Sequence, residues 1–154
     1  MATRSTIALE FADGTVQQVY AHWDGYLDHN GRILQDHYLD PFKLRDLIDM
    51  GDLSSLGAEI GDKRPFNNPH SYGTPQYDAF NVQYKNQCLF FTRDRGDDLR
   101  VQKFKDFADY EQNHQYEEYE YILRQIDGQA VWFVSAYNTN GYQPLAPLLA
   151  LEAA

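Results

Sequence analysis

Ser5-Thr6-Ile7-Ala8-Leu9-Glu10-Phe11-Ala12-Asp13-Gly14-Thr15-Val16-Gln17-Gln18-Val19-Tyr20-Ala21-His22-Trp23 is the stretch that decides the fold class. Ile7, Leu9 and Phe11 alternate with more polar positions, Asp13-Gly14 interrupts the run, and a second extended segment follows from Thr15 to Trp23. A period of two on both sides of an Asp-Gly pair predicts a β-hairpin, with a type I′ turn as the expected connection because Gly tolerates positive φ. The hairpin delivers His22-Trp23-Asp24-Gly25-Tyr26 into a turn. If Val19, Ala21 and Trp23 face the core, Tyr20, His22 and Asp24 share the opposite side, since strand side chains alternate. Two readings follow. In one, Trp23 anchors the core, Asp24-Gly25 makes an ordinary turn and His22 is merely exposed. In the other, this cluster is part of a binding surface.

Working outward, Tyr119, Tyr121 and Leu123 alternate with Glu118, Glu120 and Ile122, and Asp127-Gly128 precedes the apolar run Ala130 to Ser135. That is a second hairpin signature. Gln87 to Thr92 reads as a further buried strand. Asp40-Pro41 opens the clearest helix, because Asp can cap it, Pro suits its first turn, and Leu44, Leu47 and Ile48 form a stripe before Gly51. Shorter helices are expected within 28 to 38 and 101 to 113. Gly51-Asp52-Leu53-Ser54-Ser55-Leu56-Gly57 reads as a helix-exit turn, and 57 to 79, with its glycines and prolines, as a long loop that is a lid, a binding element or simply mobile. Tyr137 to Gln143 is turn-rich, and Leu145 to Leu151 is an apolar tail that packs as a helix or meets another subunit. The expected architecture is one α+β domain over 1–154: a mainly antiparallel sheet from two hairpins plus one further strand, covered by two or three short helices.

At 154 residues the chain can bury a single core without disulfides or a structural metal. Its one cysteine, Cys88, lies in an apolar run, as expected of a buried hydrophobe in a reduced setting. No apolar run approaches the ~20 residues a membrane helix needs, and no secretion signal is legible at the N-terminus, so a cytoplasmic location is expected. With 13 basic against 23 acidic side chains and a formal charge of −10, a continuous positive field is excluded, which argues against direct nucleic-acid binding. His29 and His37 are too far apart for a compact metal site and read as solvated or packing residues. The sequence holds no phosphate-binding glycine loop, dense ligand set or nucleophile motif, so no cofactor or metal is expected.

The remaining chemistry lies in Arg93-Asp94-Arg95-Gly96-Asp97-Asp98. If strand geometry persists that far, Arg93 and Arg95 share a face, and paired guanidiniums can grip a phosphate or carboxylate. The competing reading is that both pair with Asp94, Asp97 and Asp98. Glu117, Glu118 and Glu120 read as a solvated strand face.

Taken as an ordered set, His22-Trp23-Asp24-Gly25-Tyr26, His29-Asn30-Gly31, Gly51 to Leu56 and Arg93 to Gly96 resemble a family of small uncharacterised proteins carried by tailed bacteriophages and prophages, over most of the chain. The resemblance carries no known mechanism or site. It implies a viral accessory protein in the bacterial host cytoplasm, and by analogy interaction with host components over metabolism. Three function classes follow. The first is a non-catalytic binding protein, a host-defence inhibitor capturing a small anionic or nucleotide-like ligand, with Arg93 and Arg95 holding charge, Trp23 or Tyr26 stacking, and His22 and Asp24 hydrogen bonding. Tyr26 is the safer platform if Trp23 is core. The second is an acidic inhibitor of a host protein, imitating nucleic acid through Asp106, Asp109, Glu111, Glu117, Glu118 and Glu120. The third is a nucleotide hydrolase with His22 as base, oriented by Asp24 or Asp94.

Overall fold

The first hairpin forms as its alternation dictates: β1 (Ser5–Glu10) and β2 (Val16–Ala21) run antiparallel with Ile7 opposite Val19. The computed structural model describes residues 2–136 and 141–152. The turn differs from the expected type I′. Only Gly14 takes positive φ (90°), its N–H donates to Phe11 O at 2.9 Å, and Phe11 N donates to Thr15 O at 2.8 Å. This is a three-residue loop closed by a left-handed glycine. Asp13 is held instead by Thr15, whose N–H and hydroxyl donate to Oδ1 at 3.0 and 2.6 Å.

The chain then makes a π-helical turn (Leu27–Gly31) that runs into α1 (Arg32–His37), followed by α2 (Pro41–Asp49), β3 (Leu53–Ser55), α3 (Pro75–Tyr84), β4 (Leu89–Phe90) and α4 (Phe91–Arg95). After these come β5 (Gln102–Phe104), α5 (Phe107–Asn113), β6 (Tyr119–Ile126), β7 (Gln129–Ala136), β8 (Gln143–Pro144) and α6 (Leu145–Glu152). In α2, Asp40 accepts from Phe42 N at 2.9 Å and Pro41 sits in the first turn, as expected. The β6–β7 hairpin has the true two-residue type I′ loop, with Asp127 and Gly128 both at positive φ (52° and 80°).

Among the described residues the strands form one eight-stranded sheet in the order β4-β3-β2-β1-β6-β7-β8, with β5 also on β2. The α+β class holds, but the sheet is mixed. The two hairpins join side by side through a parallel β1–β6 pairing (Ile7 beside Tyr121), and β3 lies parallel to β2. Parallel pairing suits β1 because its residues from Ser5 to Leu9 are buried, as a strand covered on both faces must be. One face carries Ile7, Val19, Tyr121, Leu123, Trp132 and Val134 against Leu34 of α1, Leu44, Leu47 and Ile48 of α2, and Leu145 and Leu149 of α6. The other face carries Ala8, Val16 and Ile122 beneath Phe107 and Tyr110 of α5.

Among the described residues six α-helices stand where two or three were expected. The segment 101 to 113 divides into β5 and α5, because Gln102–Phe104 pairs with Val16–Gln18 before Asp106 caps the helix by accepting from Asp109 N at 2.8 Å. The loop expected over 57 to 79 ends early, at α3. There Thr74 accepts from Tyr77 N and Pro75 occupies the first turn, but no residue of the helix is buried, so no apolar stripe announced it. Gly51 to Gly57 is more than a helix exit, since Leu53–Ser55 is a strand between β2 and β4. Of the turn-rich stretch from Tyr137 to Gln143, residues 137–140 lie outside the described residues. The apolar tail packs as α6 on this chain's own sheet. No helix among the described residues is long and apolar enough to cross a membrane.

Candidate functional site

Beyond Ala21 the chain still follows β3, with His22 N donating to Leu53 O and Trp23 N to Ser54 O, both at 3.0 Å. The continuation lacks regular alternation, and that decides the fate of Trp23. Val19 and Ala21 are buried as expected, whereas Trp23 is 44% exposed and not a core anchor. The backbone then reverses at Asp24, which adopts positive φ (58°), a conformation Asp tolerates better than most residues. The corner is held from three sides. Gly25 N donates to Thr3 O at 2.8 Å, the Tyr121 hydroxyl donates to Gly25 O at 2.6 Å, and buried Asn30 donates through Nδ2 to Trp23 O at 3.3 Å and Ser5 Oγ at 3.2 Å.

Gly25 is required by close approach. A Cβ there would sit 2.7 Å from Ser5 Cβ and 2.9 Å from Thr3 O. Gly25→Ala is therefore expected to cost about 1–3 kcal/mol, the range for overpacking, read as a lower urea midpoint at unchanged slope.

A second arm of the site comes from β4 and α4. The expected strand Gln87 to Thr92 is cut short after Phe90, and Phe91 to Arg95 turns into a helix ended by Gly96 at φ 87°. The two arginines accordingly do not share a strand face. Arg93 Nε and Nη2 donate to Asp94 at 2.9 and 3.1 Å, and its guanidinium also binds the carbonyls of Ile60, Gly61 and Cys88 at 2.9–3.1 Å. That makes it a structural clamp between the 60–64 loop and β4. Asp94 is equally committed, accepting from Arg64 N at 3.0 Å and Phe90 N at 2.8 Å. Arg95 is exposed, lies over the Phe66 and Phe91 rings at 4.7 and 4.6 Å, and meets Asp97 through Nε and Nη2 at 2.6–3.2 Å. Its hydrogen bonds hold the Asp97 carboxyl below the usual range.

These arms meet. His22, Trp23, Ser54, Phe66, Phe91 and Arg95 line one recess of about 330 Å³, and a neighbouring one of about 360 Å³ shares Phe91 and Arg95 while adding Tyr20, Asp52, Asp97, Asp98 and Arg100. Their walls differ in character. The first is aromatic with one guanidinium. The second sets three carboxylates against two guanidiniums, and there burial pushes the Asp52 carboxyl up although it accepts from Tyr20 N at 2.9 Å. The His22 ring stands edge-on to Trp23 at 4.8 Å, with Nδ1 2.7 Å from the Tyr20 hydroxyl. Phe66 and Phe91 touch at 5.8 Å, leaving no slot between them, and Trp23 is the exposed ring of the recess.

Of the six sequence candidates, His22, Trp23 and Arg95 come together. Arg93 is locked away, Asp24 spends its backbone on the corner without lining the recess, and Tyr26 stands over His29 at 6.0 Å outside it. Neither Asp24 nor Asp94 orients His22, whose Nδ1 partner is Tyr20. Sequence reasoning missed Ser54, Phe66 and Phe91. Ser54 sits in a strand too short for a period, and Phe66 lies in an aperiodic loop. Among the described residues no group of three or more His, Cys, Asp or Glu could hold a metal ion. Compared with protein-family models, curated proteins and solved structures, the chain finds no match in any of the three.

Proposed function

We propose that the chain is a non-catalytic binding protein whose aromatic recess captures a nucleotide-like ligand, with the planar base on Trp23, Ser54 and His22 hydrogen bonding to its edge, and Arg95 taking its anionic end. The carrying observation is that residues from three distant segments, His22-Trp23, Ser54 and Arg95, line one recess. These are also segments on which the bacteriophage resemblance rests, which favours an accessory role in a bacterial host, where removing a nucleotide signal would blunt a defence. Capture is favoured over turnover because the ring partner of His22 is the Tyr20 hydroxyl, and among the described residues no carboxylate fixes its tautomer. An acidic surface imitating nucleic acid has less support, since Glu120 is buried and Asp106 and Asp109 are engaged at the start of α5.

The acidic wall beside Arg95 bounds the ligand class. Asp97 and Asp52 are paired with Arg95 and Arg100, which leaves Asp98 as the surplus negative charge on that wall, so a nucleoside monophosphate or cyclic nucleotide is expected to bind better than a triphosphate. The fluorescence of Trp23 offers a direct readout, because the other tryptophan, Trp132, is buried. A panel of nucleosides, monophosphates, cyclic dinucleotides and triphosphates should contain a ligand that quenches the wild type saturably and leaves Trp23→Phe unquenched. Base stacking is worth about 1–3 kcal/mol, so Trp23→Ala should weaken binding roughly 5- to 100-fold. Arg95→Ala should weaken phosphorylated ligands more than nucleosides, and mass analysis should recover the ligand intact. If no member of the panel quenches saturably, the reading is abandoned.

A further inference from the structure

We infer that the chain carries a second, separate ligand site at the turn end of the first hairpin, and that it takes a small amphiphilic carboxylate, a straight-chain fatty acid of medium length. The recess there has a volume of about 400 Å³, within the range of about 300–1,000 Å³ typical of small-molecule sites. It lies between β1 with its turn and the start of α2, and Leu9, Phe11, Pro41 and Phe42 make its wall apolar. Phe42 is 68% exposed, although the capped first turn of α2 fixes it in place. An aromatic ring held open beside an apolar recess is surface that a hydrocarbon chain would cover.

The sign of the headgroup follows from how the charges on the wall are spent. Two ionised groups border the recess, Glu10 and Arg45. Glu10 is bound by Arg124, Nε to Oε1 and Nη2 to Oε2, both at 3.2 Å, and Arg124 is itself seated on the Phe107 ring at 3.7 Å. Arg45 makes no ion pair among the described residues and lies 5.4 Å from the Phe42 ring. The acid is thus neutralised and the base is open, so the recess selects an anion at the end of an apolar body. A guanidinium presents paired N–H donors that match a carboxylate. This site shares no residue with the aromatic recess and stands whether or not that recess binds nucleotides.

The test is a titration of the full chain with sodium octanoate below its micelle concentration, followed by backbone amide NMR shifts. Hexanoate serves as the shorter homologue, with 1-octanol and octylammonium as the neutral and cationic counterparts. Saturable shifts confined to residues 9–12, 41–45 and Gln125 are expected, with affinity rising roughly three- to fourfold per added methylene. Arg45→Gln should cost octanoate about five- to tenfold and leave octanol unchanged, whereas Phe42→Ala should weaken both. Both side chains are exposed, so neither variant threatens the fold. Shifts that never saturate, shifts centred elsewhere, or octylammonium binding as well as octanoate would each overturn the assignment.

Discussion

Replacing Asp94 with alanine is expected to remove about 3–5 kcal/mol of stability, because it strands a buried guanidinium. The Arg93 side chain is 10% exposed and that of Asp94 fully buried, and they meet at 2.9 Å. The carboxylate also receives the backbone N–H groups of Arg64 and Phe90. Truncation therefore leaves the guanidinium, still bound to three carbonyls, without its counter-ion and two amide donors without their acceptor. Melting should fall by roughly 10 °C in a chain of this length. Arg93→Met combined with Asp94→Ala should recover part of the loss, since the uncompensated charge then disappears. Arg93 grips the loop at Ile60 and Gly61 that leads to Phe66, and Asp94 fixes the backbone just before Arg95. The single variant should therefore lose ligand capture even at temperatures where it remains folded. Burial raises the Asp94 carboxyl pKa, but its hydrogen bonds from Arg93, Phe90 and Arg64 outweigh that and hold it below the ordinary value. A carboxyl lowered in the folded state contributes stability that is present above its unfolded pKa of about 3.9 and is lost as pH falls through the folded one. Acid unfolding of the wild type should thus steepen below about pH 4, and Asp94→Ala should lack that component.

What the sequence made legible was the part of the fold governed by local periodicity. Both hairpins and α2 follow from alternation, turn chemistry and an Asp-Pro cap. The parallel β1–β6 pairing did not, because contacts between distant segments leave no local period. The switch from β4 to α4 was hidden as well. The apolar run Cys88 to Phe91 reads as one strand, and only the seat that Asp94 finds on Phe90 N turns the chain after two residues. For the candidate site the residue types were legible and their partners were not. Arg93 and Arg95 look equivalent in sequence, and tertiary contacts alone make one a buried clamp and leave the other exposed, paired with Asp97 over the Phe91 ring. Trp23 was harder still, since alternation predicts a buried ring and the irregular pairing with Ser54 turns it outward.

Glu120 was the furthest from its expected role, and its buried partner His114 is expected to make stability depend on pH above neutrality. Alternation assigns Glu120 to a solvated strand face, yet it is 5% exposed because α5 and Tyr142 cover that side of the sheet. His114, at the end of α5, meets it with Nε2 2.5 Å from Oε2, while Nδ1 faces the Tyr110 carbonyl. The ring stacks on Tyr110 at 4.4 Å and has the Tyr142 hydroxyl 3.3 Å from Nε2. Both ring nitrogens thus face acceptors, and only an imidazolium can donate to both. Burial alone would lower the His114 pKa, but the hydrogen bond and charge of Glu120, helped by the Tyr110 carbonyl and the charge of Glu111, raise it above its ordinary value. A base raised in the folded state contributes stability that is complete below its unfolded pKa of about 6.5 and is lost as pH rises through the folded value. Thermal melting of the wild type should therefore fall as pH rises above about 6.5. Glu120→Gln should cost about 2–3 kcal/mol at pH 6, the worth of a charged hydrogen bond, and less at pH 9. With the carboxylate gone, burial becomes the leading influence on His114 and the slope should reverse, stability rising with pH through the histidine range. Parallel pH profiles for the two proteins would mean that His114 is neutral in the fold and that the charged pairing is wrong.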